Sequence, residues 1–171
     1  GVCMIKMTEV FNQLNPDICI LYGDRGEVLV TAQVATVLGV PIVHLQGGDV
    51  SGSVDEQVRH SVTKLANIHC VSTNESASRI LKMGEEDWRV NVVGDNHVDL
   101  IVAGEYLDSR RIVEKLQLDI KKPILVVLQH SETTSPQSSY KQMKETLRAV
   151  CKEKYQVVVI YPCSDVGYNG V

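Results

Sequence analysis

Four side chains in this sequence stand where they could move a proton or hold an anion: Asp24, Asp55, Arg59 and His130. Asp24 belongs to Gly23-Asp24-Arg25-Gly26, directly after the apolar run Ile18 to Tyr22. Asp55 and Arg59 belong to the stretch His44 to Leu65, H-L-Q-G-G-D-V-S-G-S-V-D-E-Q-V-R-H-S-V-T-K-L. There a short apolar run, Pro41 to Leu45, ends in Gln46-Gly47-Gly48-Asp49. A Gly- and Ser-rich loop follows, then a helix opening near Asp55. An apolar strand, a glycine loop and a helix start are where open α/β sheets take ligands. On that helix Val58, Val62, Leu65 and Ala66 form one apolar stripe, with Asp55 in line one turn earlier and Arg59 at its edge. Both therefore point toward the protein, while Glu56, His60 and Lys64 form a row facing further out. Two explanations stay open: Asp55 is a helix cap with Arg59 as its i+4 ion-pair partner, or the pair serves an anionic substrate.

Two further strand-end loops carry reactive types: Gln129-His130-Ser131-Glu132 and Pro162-Cys163-Ser164-Asp165. Asp24 and Asp55 could form a carboxylate pair for acid/base work at carbon. His130 could bind phosphate or pass a proton. His44 and His69 lie in apolar strands and read as satisfied core histidines, His97 as a helix cap, Trp88 as packing. The glycines Gly47, Gly48 and Gly52 are expected to let a ligand approach closely. No Walker A, G-x-S-x-G, H-E-x-x-H or G-x-G-x-x-G motif is present. The five cysteines are odd in number and widely spaced, without a C-x-x-C or Cys/His metal pattern. They suit a reducing cytoplasm.

The elements that must position these residues alternate regularly. Helix 2–14 is broken by Asn15-Pro16-Asp17. Strand 18–22, a helix to about Leu38, strand 42–45, the Asp55 helix, strand 68–72, a helix from Thr73 or Asn74 to Met83 and strand 90–93 follow. Four short-linked repeats of this kind predict a parallel, doubly wound sheet. Residues 97–122 turn polar and helical. Strand 124–128, loop 129–136, helix 138–154, strand 156–161 and a terminal loop then open a second αβ run. The fold class expected is α/β: a Rossmann-like parallel sheet plus the start of a second Rossmann-like unit. Residues 1–104 would be the C-terminal part of the first domain, 105–121 a helical bridge, and 122–171 the N-terminal part of the second. Two facing domains of this kind would bind a ligand between them. A first unit beginning with a helix, and a second with two strands, read as the middle of a longer chain.

With 171 residues, 44% hydrophobic and net charge -4, the chain has no basic stripe for nucleic acid and no apolar run long enough for a bilayer. No signal peptide is read at the N-terminus. A cytoplasmic protein is expected, with neither nucleic acid nor membrane as partner.

Gly23-Asp24-Arg25, the His44–Leu65 block, Ser72-Thr73, Met83-Gly84-Glu85, Val93-Gly94 and Asp99-Leu100-Ile101 together resemble the hydrolysing UDP-N-acetylglucosamine 2-epimerases. The branch most resembled makes N-acetylmannosamine or its diamino relatives for sialic- and legionaminic-acid synthesis. D-E-x-x-R-H-x-x-T-K-L is the specific part of the match. The resemblance implies a glycosyltransferase-B-like fold, incomplete here because both ends are lacking. It implies a UDP- or GDP-linked N-acetylglucosamine-type substrate, no metal or redox cofactor, and a homo-oligomer for the intact protein. It implies elimination of the nucleoside diphosphate after C2 proton abstraction, then hydration of the 2-acetamidoglucal with inversion. It assigns Asp24, Asp55 and His130 to catalysis, His130 at the diphosphate. Arg25, Gln46, Glu56, Arg59 and Cys163 it assigns to substrate binding. Three positions depart from the family pattern: Gln46 where several members carry Glu, Ser131 in place of a usual Pro, and Cys163 where an Asn usually follows Pro162. The competing expectations are a glycosyltransferase of similar fold and a non-catalytic binding or assembly module. The 171-residue chain alone is expected to have little or no epimerase activity.

Overall fold

The computed structural model describes residues 1–171 except Thr133 and Glu153. The expected loop 129–136 and helix 138–154 each include one residue outside the described set. The chain divides into two compact units, Gly1–Gly104 and Glu105–Val171.

In the first unit the elements run α1 Val2–Leu14, β1 Cys19–Tyr22, α2 Gly26–Val37, β2 Ile42–Leu45, α3 Val54–Leu65, β3 Ile68–Val71, α4 Asn74–Lys82, β4 Val90–Val92 and α5 Asn96–Val102. The strands are all parallel, in the order β1-β2-β3-β4. Each crossover steps one place the same way, and right-handed crossovers then put the intervening helices on one face. The described strands thus show no reversal of winding, and the doubly wound order expected is not formed by them. α1 packs on α2, and α2 on α3.

Strand periodicity follows from this one-sided cover. Leu21, Ile42, His44, His69 and Val71 point at the helices and are buried, joining Phe11, Ala32, Val34, Ala35, Val62 and Ala66 in the core. On the opposite face Ile20 and Tyr22 are exposed and Val43, Leu45 and Cys70 half-buried. Asn15 ends α1 with a left-handed φ of 44°, its amide returning 2.8 Å to Phe11 O.

Met83-Gly84-Glu85 proves to be a packing device. Gly84 takes φ +92° after α4, and the nearly buried Glu85 carboxylate meets Lys64, Arg89 at 3.3 Å and His69 at 3.4 Å. Burial works to raise the Glu85 carboxyl, but Lys64 and His69 outweigh it and hold it below its ordinary value.

In the second unit α6 Ser109–Lys115 precedes β5 Ile124–Leu128, α7 Ser139–Val150 and β6 Gln156–Ile160. β5 and β6 pair in parallel, Leu128 opposite Ile160. Residues 105–121 cluster with this unit. Gln156 fastens them to β6, accepting from the Asp119 amide at 2.6 Å and donating to its carbonyl at 2.7 Å. The terminal loop contains a helical turn, Tyr168–Gly170. No helix among the described residues is long and apolar enough to cross a membrane.

Candidate functional site

Two polar clusters sit at the carboxyl ends of the strands in the first unit. The first forms around Arg59. α3 is capped by Ser53, whose hydroxyl accepts from the Asp55 amide at 3.3 Å. The helix therefore starts at Val54, and Asp55 is a first-turn residue rather than the cap. Its carboxylate accepts from Ser53 Oγ at 3.1 Å and is half-buried. The inward face of α3 carries Arg59 and the buried Thr63 as well as Val62 and Ala66.

Arg59 reaches Asp24, not Asp55. Its guanidinium donates to Asp24 Oδ2, to Asp49 O at 2.9 Å and to Ser51 Oγ at 3.5 Å. One cation thus ties the loop after β1 to the loop after β2. Its side chain is only 11% exposed and that of Asp24 23%, so the pair is partly desolvated. Burial lowers the Arg59 pKa, yet a guanidinium remains charged. The i+4 pairing is corrected because α3 tilts Arg59 over the sheet end, where the β1 loop arrives.

Glu56 holds the rest of the loop. Its Oε2 accepts from the Ser51 and Gly52 amides at 2.9 and 2.7 Å. These bonds, Gly52's first, lower the Glu56 carboxyl. Gly52 takes φ +68° in open space. The other two glycines serve a different purpose from the one expected. A Cβ on Gly47 would meet His44 Nδ1 at 2.9 Å, and one on Gly48 would meet Ser76 O at 2.5 Å. Protein, not an open ligand face, occupies the space these glycines leave. Arg79 donates to Gly48 O and Ser76 Oγ to Asp49 Oδ1, closing the loop onto α4.

Beneath this cluster His44 is fully buried, Nδ1 3.2 Å from Thr63 Oγ1 and Nε2 2.9 Å from Gly23 O. Burial pushes its pKa down to about 4, against the opposing Gly23 bond. It is a core histidine that props up the β1 loop.

The second cluster was not apparent from the sequence. Gln46, in a left-handed conformation at φ 59°, donates from Nε2 to Asp95 Oδ2 at 2.6 Å. Asp95 caps α5 by accepting from the His97 amide at 2.8 Å. His97 is therefore the capped residue and not the cap. Its Nδ1 lies 3.1 Å from Asp95 Oδ1 and 3.2 Å from Tyr22 OH. The His97 amide, first among several contacts, lowers the Asp95 carboxyl. Burial, then Asp95, raises the Tyr22 phenol. A recess of about 150 Å³ opens here, lined by Tyr22, Leu45, Gln46, Cys70, Asn96 and Asp99 among others. Asp24, Gln46 and Asp55 thus share one end of the sheet: Asp24 and Asp55 are linked through Arg59, Ser51 and Ser53, and Gln46 belongs to the second network.

Arg25 lies beside them, half exposed and 3.8 Å from Glu27. In the second unit His130 is exposed in the loop after β5, its Nδ1 3.3 Å from Cys163 Sγ. The Cys163 thiol donates to Asp165 Oδ2 at 2.8 Å. That bond, then burial, raises the thiol pKa.

The family model for UDP-N-acetylglucosamine 2-epimerase matches residues 1–169. The chain belongs to the UDP-N-acetylglucosamine 2-epimerase family. It is 36% identical over 166 residues to a UDP-N,N'-diacetylbacillosamine 2-epimerase (hydrolyzing) of Legionella pneumophila, covering 96% of this chain and 44% of the relative. It is 30% identical over 165 residues to a GDP/UDP-N,N'-diacetylbacillosamine 2-epimerase (hydrolyzing) of Campylobacter jejuni, covering 96% and 43%. The chain therefore spans less than half the length of these relatives. Among solved structures it resembles UDP-GlcNAc 2-epimerase from Neisseria meningitidis bound to UDP-GlcNAc, with TM-score 0.76, 15% identity, and coverage of 98% of this chain and 48% of that one. The likeness shows the fold, which is the glycosyltransferase-B-like α/β fold of these proteins, present in part.

Proposed function

We propose that this chain contributes to a hydrolysing 2-epimerase acting on a nucleoside-diphosphate N-acetylglucosamine-type sugar. The family match across residues 1–169 carries this reading. Asp24 and Asp55 fill the motif positions of its carboxylates, and the Arg59 ion pair holds Asp24 at the strand end where α3 also brings Asp55. A carboxylate takes the proton from sugar C2, the C1–O bond to the diphosphate breaks, and the nucleoside diphosphate leaves with the electron pair. Water then adds across the C1–C2 double bond of the 2-acetamidoglucal, with C2 reprotonated from the other face.

Half-buried carboxylates suit the proton transfers. Arg59 pairs with Asp24 and fixes the β1 and β2 loops against each other, so the acid/base groups do not reorganise during reaction. The Gln46 amide is neither acid nor base, and Asp95 holds it in place. His130, Arg25, Glu56 and Cys163 are assigned to the substrate by the motif positions they fill. The substrates named for the relatives, UDP-GlcNAc and UDP- or GDP-linked N,N'-diacetylbacillosamine, define the compounds to try.

The test uses a chain of full family length carrying residues 1–171, given each sugar nucleotide in D2O without an acceptor. Release of free nucleoside diphosphate with a 2-epimerised sugar, deuterated at C2, is expected. Turnover only on adding an acceptor would indicate a glycosyltransferase, and binding without turnover a non-catalytic module.

A further inference from the structure

We propose that His130, Cys163 and Asp165 form a binding site for a zinc-class divalent cation. The proposal does not rest on the epimerase reading, because it needs only the two strand-end loops of the second unit.

Parallel pairing of β5 with β6 sets Leu128 opposite Ile160. The loops that follow must leave the sheet side by side, bringing together a His and a Cys that are 33 residues apart. Ser131 is buried and donates to Val166 O at 2.8 Å, clipping one loop to the other. Pro162, also buried, anchors the start of the second loop. Three donor atoms result, an imidazole nitrogen, a thiol sulfur and a carboxylate oxygen, all within 4.8 Å of one another.

The thiol hydrogen of Cys163 links two of these three donor atoms, going to Asp165 Oδ2. A divalent cation would engage all three. The mixed nitrogen, sulfur and oxygen set favours zinc and its borderline neighbours over calcium or magnesium, which take oxygen alone. Tetrahedral bond lengths place sulfur and nitrogen about 3.5 Å apart. The observed Sγ–Nδ1 separation is 3.3 Å. The carboxylate, 2.8 Å from sulfur, must draw back by about 0.7 Å to reach a similar geometry. Binding replaces the S–H bond by a metal–sulfur bond and releases that proton to water, and the imidazole binds through a ring nitrogen that carries no proton. Three protein ligands leave the fourth position to water, the pattern of an open site rather than a closed structural one. No spacing motif reveals this set, because it arises from strand register.

The test titrates the 171-residue chain with Co²⁺ and then Zn²⁺, following absorbance and proton release, with circular dichroism as the check on folding. One equivalent of Co²⁺ is expected to bind, giving a thiolate-to-cobalt charge-transfer band and the visible bands of four-coordinate cobalt. Zn²⁺ should displace it, and Mg²⁺ should not. Cys163→Ser should abolish the charge-transfer band, while Cys151→Ser should leave it. His130→Ala and Asp165→Asn should each weaken binding by about tenfold or more. Absence of the band, its survival in Cys163→Ser, or affinity unchanged in both His130→Ala and Asp165→Asn would overturn the proposal.

Discussion

At the carboxyl ends of β1 and β2 the polar side chains lean on a helix, and at the carboxyl ends of β5 and β6 they lean on one another. Arg59 is fixed by its place on α3, between Thr63 and the loop it ties, and its partners Asp24 and Asp49 come from two strand ends. Glycines 47 and 48 let that loop sink onto His44 and Ser76. His130 and Cys163 are exposed, and they meet each other and Asp165. The first arrangement is part of the core's own packing. The second is a loop-borne cluster whose geometry a ligand can reset. Substituting the first should therefore cost stability, and substituting the second should cost ligand.

The largest effect is expected at Gly48. Alanine there combines φ +83° with a Cβ 2.5 Å from Ser76 O. Denaturant unfolding should show a loss of about 4 kcal/mol, from backbone strain and overpacking together. Loss near 1 kcal/mol would mean the loop is not seated as described.

Next comes His44. Its pKa is about 4 in the folded chain and near 6.5 when unfolded. As pH falls through that window the unfolded chain takes a proton that the folded chain refuses. Stability should fall by about 3 kcal/mol between pH 7 and 4. The buried His69, also lowered, acts in the same direction. The lowered carboxyls of Glu56, Glu85 and Asp95 act in the same direction, and their contribution starts to be lost as pH falls to their ordinary values of 4.5 and 3.8. His44→Gln should flatten the upper part of the curve, and an unchanged slope would remove His44 from the account.

Arg59→Met leaves Asp24 without its guanidinium and should cost about 2 kcal/mol, less than a fully buried pair because both groups keep some solvent. His130→Ala and Cys163→Ser in the second unit should stay within about 0.5 kcal/mol of the parent. Equal losses in the two units would erase the contrast.

Strand and helix alternation was legible because buried parallel strands write short apolar runs and the glycines punctuate them. The inward direction of Asp55 and Arg59 was legible from helical period alone. Arg59's partner was not, since Asp24 lies 35 residues away and only strand order brings it near. Which residue caps α3 stays open in the sequence because Ser51, Ser53 and Asp55 all suit a helix start, and backbone geometry selects Ser53. The meeting of Tyr22, Gln46, Asp95 and His97 was not legible for a related reason: Gln46 reads only as part of its strand-end loop and His97 only as a cap, and the four come together only across β1, β2 and β4. The single winding direction could not be read at all, because alternation fixes parallel strands but not their order.

The most direct measurement of the central claim is kcat for nucleoside diphosphate release by Asp55→Asn, in a chain of full family length, beside its thermal melt. Ser53 rather than Asp55 caps α3, so the substitution should leave the fold intact. An acid/base role predicts a kcat reduced by roughly 10²-fold or more with an unchanged melt. A normal kcat in the normally folded variant would contradict it.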